Sequence, residues 1–498
     1  MGKMAYIFGF FRLIWESAMN YTSLKYLALV LLSVLFYYMI PRKYRWCVLL
    51  LSGMLFLISV SDGIGMILVF LFSALITWLA GLGIGKKEGL ASIAILIFGI
   101  TAAAIPLIFN RILSLMAQDP DFSPGSWIAP VGLSFYTLQS ISYLADIHTK
   151  KILPQKNPLR YLLYISFFPI LIQGPISRYD QLADQLYDGH PYRTENIMRG
   201  IQSVLWGLFL KFMIADKAAV FVDAVFGGET HYTGFYILCA AVLYSIQLYT
   251  DFLSCVTISQ GVSELFGIHL TDNFRRPYFS ASIREFWRRW HISLSEWLRD
   301  YIYIPLGGNR KGKLRRYINL LITFTVSGFW HGAAWSFMVW SWLHAGYMII
   351  GDLVRKPKDR VLKAFSLPQG SRVRHIFAVL VTFLLSMTAW VFFRAGSVEH
   401  GLFLLRSMFA SFNPWVLVNG SLFRLGLSQS QFMILILSIL FMVLVSHVQE
   451  KGIVIRDVFN RQNTVIRWSI YLLAIWGIWI LGSYGFGFDS NDFIYGGF

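Results

Sequence analysis

Charged side chains are scarce in this sequence of 498 residues. Asp, Glu, Lys and Arg together make up 14% of the chain, whereas 56% of its residues are hydrophobic and its mean hydropathy is +0.58. Soluble globular proteins carry about 25% charged residues. The composition therefore excludes that class and predicts an integral membrane protein.

Long apolar runs recur along the chain. A helix needs about 20 mostly apolar residues to cross a hydrocarbon core of about 30 Å, and several runs reach or approach that length. We expect an all-α polytopic protein with about 11–12 spans and additional interfacial or re-entrant helices. The expected spans cover about residues 24–40, 46–60, 64–84, 90–110, 127–147, 201–226, 233–255, 317–330, 333–351, 375–394, 430–448 and 467–484, with a short apolar segment at 161–176.

Cysteine and the common catalytic motifs are also nearly absent. The three cysteines, Cys47, Cys239 and Cys255, lie in or beside apolar runs without metal-ligand spacing, so we expect no metal site. The sequence contains no GxSxG, GxxxxGK(S/T) or HExxH pattern. The common serine hydrolases, P-loop nucleotide hydrolases and zinc proteases are therefore disfavoured.

The chain has a net charge of +17, and its basic residues are concentrated in alternate loops between the expected spans. Basic residues follow the first, third and fifth expected spans, whereas acidic residues follow the second and fourth. The positive-inside rule assigns basic loops to the cytoplasm, including residues 178–199, 272–316, 355–375 and 449–467, and it leaves the C-terminal residues 487–498 outside. No stretch resembles a nucleic-acid-binding module, so we expect no nucleic-acid partner.

The richest pattern lies in the expected cytoplasmic stretch 273–316. Ser282 followed by Glu285 makes a capping box, and apolar residues then recur at helical spacing, which predicts one aromatic-rich interfacial helix from Ser282 to a proline and a glycine pair. We expect His291 at the edge of its apolar face, as a packing residue or as part of a site. The basic residues of 310–316 either fix topology or contact phosphates of a cofactor or of lipid headgroups.

A histidine interrupts an uncharged run. Tyr317 to Gly351 contains no Lys, Arg, Asp or Glu, yet His331 lies near its middle between Gly328 and Gly332. The apolar run reaches it after about 14 residues, or about 21 Å of helix, which predicts a place within the membrane. An ionisable residue there is a site hypothesis, because a buried neutral imidazole can accept a proton. A structural role is the alternative.

Two further polar residues in apolar runs are less informative. His344 lies thirteen residues after His331, and we expect it to pack. Asp251 ends a predicted span and is either a functional intramembrane carboxylate or a hydrogen-bonded structural one.

These motifs resemble those of the membrane-bound O-acyltransferase (MBOAT) family, in its alginate O-acetyltransferase branch. The segments that carry the resemblance are EFWRRWHISLSEWLRDYIYIPLGGNR (285–310) and SGFWHGAAWSF (327–337), supported by 130–147, 167–182, 244–252 and 388–402. The resemblance extends over nearly the whole chain and implies a single domain, 1–498. Where the branch often has Asp-Phe-Ser-Gly-Tyr-Ser-Asp, this chain reads DFLSCVT (251–257), which weakens alginate as the acceptor.

The resemblance implies a ring of tilted helices around a tunnel through the membrane, in an enzyme without a bound cofactor. His331 matches the family's near-invariant histidine and would act as general base on an acceptor hydroxyl or carry the acyl group briefly. His291 matches the second signature histidine and would orient the donor or polarise its carbonyl. Candidates for lining the donor site or tunnel are Trp287, Arg288, Trp290, Trp330, Asp251, Asn309 and Arg310.

The implied reaction passes an acetyl group from acetyl-CoA, or another cytoplasmic acyl thioester, toward an extracytoplasmic polysaccharide or cell-wall glycan. The implied partners are an extracytoplasmic hydrolase-like acetyltransferase or a small acyl-accepting protein, together with membrane lipids of a bacterial plasma (inner) membrane. D-alanyl transfer to teichoic acid is one alternative, although IPLGGNR favours the acetyl branch. Transport of a lipid-linked sugar is the other, and we find neither inverted repeats nor paired intramembrane charges to support it.

Overall fold

The computed structural model describes residues 19–61, 63–116, 132–227, 232–364, 368 and 370–483. All regular secondary structure in these residues is helical, which confirms the predicted all-α class. The C-terminal stretch 487–498, expected outside the membrane, and the start of the span expected at 127–147 lie outside the described residues.

The chain forms two compact units. The described part of the first comprises residues 19–61, 63–116, 132–208 and 255–271. Its described helices are α1 (Leu24–Met39), α2 (Arg45–Val60), α3 (Ile64–Lys86), α4 (Gly89–Met116), α5 (Leu133–His148), α6 (Pro158–Ser166), α7 (Tyr179–Tyr187) and nearly all of α8 (Thr194–Phe209). The single domain implied for residues 1–498 remains a prediction.

The described part of the second unit comprises residues 209–227, 232–254, 272–364, 368 and 370–483, and it contains both histidines of interest. Its described helices are α9 (Asp216–Phe226), α10 (Phe235–Leu265, as far as residue 254), α11 (Ile283–Arg289), α12 (Ile292–Leu298), α13 (Gly312–His331), α14 (Trp335–Leu353), α15 (Arg355–Ala364), α16 (Arg372–Ala395), α17 (Val398–Phe409), α18 (Gln429–Glu450), α19 (Ile455–Asn460) and α20 (Thr464–Leu481). Two π-helical segments, Leu210–Ala215 and Arg299–Tyr303, precede α9 and follow α12.

Several described helices are long and apolar enough to cross a membrane. There are seven: Arg42–Val60, α3, α4, α10, α16, α18 and α20, or eight if α14 and α15, which meet at a 57° bend, form one span. This count covers the described residues alone and is lower than the roughly 11–12 spans predicted; α1, for example, has only 16 residues. The chain is thus a multi-pass membrane protein.

The α13–α14 hairpin carries His331 as the last residue of α13. A Cβ atom on Gly328 would lie 2.7 Å from Oγ of Ser341, and one on Gly332 would lie 2.3 Å from Cε2 of Phe337. The two glycines therefore permit the close approach of α14.

The predicted interfacial helix is in fact two short helices. Ser282 begins the first as expected, because its Oγ accepts the N–H of Glu285 at 3.2 Å. The prediction of one continuous helix from Ser282 was wrong, since α11 ends at Arg289 and His291 adopts a left-handed φ of 42° before α12 begins.

Candidate active site

His291 lies at the break between α11 and α12 and is fully buried, rather than at the edge of a helix face. A positive φ is uncommon for a residue other than glycine and persists only where the surroundings hold it. Two backbone hydrogen bonds do so here: the N–H of Arg275 donates to the carbonyl of Arg289, and the N–H of Ile292 donates to that of Asn273, both at 2.9 Å. The segment before α11 thus holds the backbone on both sides of His291 by hydrogen bonds.

The side chain of Asn273 sets the tautomer of His291. Its Oδ1 accepts the N–H and O–H of Ser293 at 3.0 and 2.9 Å and lies 3.3 Å from Nδ1 of His291. Because a backbone N–H can only donate, this oxygen is an acceptor, and Nδ1 of the neutral ring must carry the proton. Burial lowers the pKa of His291 to about 3. The ring is therefore neutral near pH 7, and Nε2 is its acceptor nitrogen.

Trp330 joins the two predicted catalytic histidines. Its ring centroid lies 4.7 Å from that of His331 and 6.0 Å from that of His291, edge to face in both pairs. His331 is 2% exposed. It also packs edge-on against Trp340 at 4.9 Å and Phe393 at 5.4 Å. The fold thus brings both histidines into one aromatic cluster.

Four of the remaining predicted site residues are buried, and three are exposed. Trp290 packs on Trp390 with ring centroids 4.9 Å apart, and Trp287 packs on Trp340 at 5.9 Å, so both extend the aromatic cluster. The buried residues are Trp287, Trp290, Trp330 and Asp251, and the exposed ones are Arg288, Asn309 and Arg310. The amide oxygen of Asn309 accepts the hydroxyl of Tyr303.

Asp251 belongs to a buried ion cluster that sequence reasoning missed. Nζ of Lys211 lies 2.7 Å from Oδ1 of Asp251 and 3.0 Å from Oδ1 of Asp216, and each of these side chains is at most 5% exposed. Lys211 lies in the π-helical segment Leu210–Ala215. The finding that no paired charges occur in the predicted spans was wrong. The charges within the predicted span 201–226 were the available signal.

Several arginines near α11 are tied to carboxylates. Asp352, near the end of α14, pairs with Arg284 at 2.8 Å and also with Arg316. Glu450 pairs with Arg276 at 2.6 Å and with Arg289 at 2.8 Å. Within the basic cluster 310–316, Arg316 therefore has an ionic partner, and Arg315 donates to the carbonyl of Leu306 at 3.4 Å. Within the described residues, no group of His, Cys, Asp and Glu side chains is arranged to hold a metal ion.

Comparison with known proteins identifies the family to which this fold and site belong. The sequence profile of MBOAT, the membrane-bound O-acyltransferase family, matches residues 112–393, more than half of the chain. The chain therefore belongs to the membrane-bound O-acyltransferase family. This confirms the resemblance seen in the motifs around His291 and His331, both of which fall within the matched region.

Named relatives span three kinds of acceptor. The chain is 36% identical over 309 residues to the probable alginate O-acetylase AlgI of Azotobacter vinelandii, covering 62% of this chain and 59% of that protein. It is 37% identical over 307 residues to the peptidoglycan O-acetyltransferase of Helicobacter pylori, covering 56% and 57%. It is 26% identical over 313 residues to the teichoic acid D-alanyltransferase of Bacillus subtilis, covering 60% and 78%. The match thus spans less than two thirds of the first two relatives.

Proposed function

We propose that this protein is a membrane-embedded O-acetyltransferase. It passes the acetyl group of acetyl-CoA, bound from the cytoplasm, toward a hydroxyl of an extracytoplasmic polysaccharide or cell-wall glycan. The observation that carries the proposal is the pairing of His291 and His331 through the Trp330 ring, in a chain that belongs to the O-acyltransferase family.

His331 is the general base of the proposed reaction. It accepts the proton of the acceptor hydroxyl as that oxygen attacks the thioester carbonyl, and the C–S bond then breaks so that the thiol leaves with a proton. A placed base contributes about 10²–10⁴-fold to such a transfer. The surrounding aromatic rings exclude water, which protects the thioester from hydrolysis.

His291 orients the donor in this scheme. With Nδ1–H held by Asn273, Nε2 can accept a hydrogen bond from an N–H group of the donor. The same nitrogen cannot donate to a carbonyl oxygen while the ring is neutral. Of the two roles implied for His291, orientation therefore has more support than polarisation of the carbonyl.

His331 is enclosed by aromatic rings in its own unit, so the proposed chemistry needs a path to it. The tunnel implied by the family would supply that path, with the donor entering from the cytoplasmic side and the acceptor from outside. An extracytoplasmic hydrolase-like acetyltransferase or a small acyl-accepting protein would take the acetyl group onward. The site of action is the plasma membrane of a bacterium, with the C-terminus outside.

D-alanyl transfer to teichoic acid is the second candidate, supported by the similarity to the Bacillus subtilis enzyme. It would use the same histidine pair with a different thioester donor. The higher identity to the two O-acetylating relatives favours acetyl transfer.

The test incubates membranes containing the full chain with acetyl-labelled acetyl-CoA and cell-envelope glycan. We expect label in the glycan or in an extracytoplasmic protein, and we expect His331→Gln to abolish it. The matched control is His375→Gln, because that histidine is exposed on α16. Labelling by a D-alanyl thioester but not by acetyl-CoA would overturn acetyl transfer, and labelling by neither would overturn the acyltransferase proposal.

A further inference from the structure

His344 on α14 is buried in an unusual way. Its side chain is completely buried, yet neither ring nitrogen has a hydrogen-bond partner among the described residues. Phe286 and Phe324 lie nearly parallel to the ring, with centroids at 6.0 and 6.4 Å. Trp287 and Trp340 stand edge-on to it at 5.1 and 5.6 Å.

Two of the indoles around His344 share this property. Nε1 of Trp287 and Nε1 of Trp340 are buried and have no acceptor within the part of the chain that the structure describes. An indole N–H can only donate, and a neutral imidazole offers one donor and one acceptor. Buried polar groups are rarely left unpaired in native proteins. Three donors and one acceptor without partners in a single cluster therefore point to a bound molecule rich in carbonyl oxygens.

Aromatic packing alone does not account for the histidine. An imidazole N–H directed at an indole face gains a weak hydrogen bond, but this would satisfy only one donor. The acceptor nitrogen of His344 and the N–H groups of Trp287 and Trp340 would remain unpaired. A phenylalanine at position 344 would fill the same aromatic layer without removing two nitrogens from water.

The cluster lies along the hairpin between its charged end and His331. His344 is eight residues from Asp352, about 12 Å along α14, and Asp352 binds two arginines. In the other direction Trp340 contacts both histidines, with centroids 5.6 Å from His344 and 4.9 Å from His331. An extended molecule that starts at the arginines would pass His344 before it reaches the proposed base.

We propose that His344, Trp287 and Trp340 form a binding subsite for the amide-bearing arm that carries the acyl thioester. The two indole N–H groups and the imidazole N–H donate to amide and thioester carbonyls, and the other imidazole nitrogen accepts an amide N–H. The ligand class is an acyl thioester on a pantetheine arm, which CoA and acyl-carrier proteins share. This inference rests on the proposed acyltransferase function and assigns the route by which the donor reaches His331.

The test compares His344→Phe with the wild type, using the full chain in lipid nanodiscs. The probes are acetyl-CoA, its unreactive thioether analogue and S-acetylpantetheine, with adenosine 3′,5′-diphosphate as a fragment that lacks the arm. We expect His344→Phe to lower the affinity for the thioether analogue and for S-acetylpantetheine by about tenfold, which corresponds to the loss of one or two hydrogen bonds. The KM for acetyl-CoA should rise similarly, while the affinity for the diphosphate fragment and the KM for the acceptor stay unchanged.

Tyr347→Phe is the matched control, because Tyr347 also contacts the His344 ring, at 6.0 Å, but lies one turn further from Trp340. A His344→Phe protein with unchanged donor affinity and equal or higher thermal stability would overturn the inference and make His344 a packing residue. If His344→Phe does not fold, Trp287→Phe, which removes one indole N–H, is tested instead by the same affinity measurements. If the wild type binds neither acetyl-CoA nor its analogue, the proposed function fails. If the wild type binds them and the variants bind them with the same affinity, only this inference fails.

Discussion

The second unit buries two polar clusters that are organised in opposite ways. In one, the ammonium of Lys211 lies between the carboxylates of Asp216 and Asp251, so each charged group has an ionic partner. In the other, around His344, neutral donors are enclosed by aromatic rings and lack acceptors among the described residues. A self-satisfied cluster serves the fold, whereas unmade hydrogen bonds suit a ligand. We therefore expect the Lys211 cluster to be structural and the His344 cluster to belong to the candidate active site.

Removing the base should abolish activity without unfolding the protein. We expect His331→Gln to lower kcat by about 10²–10⁴-fold, because proton removal from the acceptor is lost. The thermal midpoint should stay close to that of the wild type, since glutamine fits the space of the ring. Steady-state kinetics and thermal unfolding in detergent measure the two effects. Loss of stability in parallel with activity would make His331 a packing residue.

The ion cluster should behave in the reverse way. Lys211→Met leaves two buried carboxylates without a counter-charge, and breaking a buried pair costs about 3–5 kcal/mol. We expect low yield and a lower unfolding midpoint. The variant that also carries Asp216→Asn and Asp251→Asn should recover much of the stability, because all three side chains of the cluster are then neutral. A stable Lys211→Met protein that has lost only activity would move this cluster into the reaction.

Sequence reasoning identified the membrane class and the family, because composition and short motifs carry that information locally. It failed where distant residues decide. The cap at Ser282 and the apolar spacing are compatible with one helix or with two. The break at His291 is held by Asn273, which lies eighteen residues earlier in the sequence. Likewise, Lys211 and Asp251 are forty residues apart in sequence and meet only in the folded chain. The tunnel, the catalytic roles of His291 and His331 and the roles of the other candidate site residues remain predictions.

The tautomer of His291 offers an intermediate test. Asn273→Ala removes the acceptor for Nδ1–H and for Ser293, and a lost hydrogen bond of this kind costs about 1–3 kcal/mol. We expect a roughly ten- to hundredfold lower kcat/KM for the donor. Asn273→Asp keeps the acceptor, but its negative charge favours imidazolium and raises the pKa of His291.

The pH profile distinguishes these two variants. If neutral His291 is required, activity of Asn273→Asp should appear only as the pH rises through the increased pKa, so its acidic limb moves to higher pH than in the wild type. Asn273→Ala should lose activity at every pH. An Asn273→Ala protein with wild-type kinetics and pH profile would show that Asn273 supports the backbone alone.

The smallest effect is expected at the partly exposed pair that links α11 to α14. Arg284 is 49% exposed and shares Asp352 with Arg316, so Arg284→Gln leaves the carboxylate with a partner. Exposed ion pairs contribute about 0–1 kcal/mol and are screened by salt. We expect Arg284→Gln and Arg316→Gln each to lower the unfolding midpoint slightly, and the double variant to lower it by more than the sum, because Asp352 then loses both cations. Strictly additive shifts of the unfolding midpoint would mean that water solvates the Asp352 carboxylate as well as the arginines do. The pair would then differ from the buried Lys211 cluster only in its exposure to water.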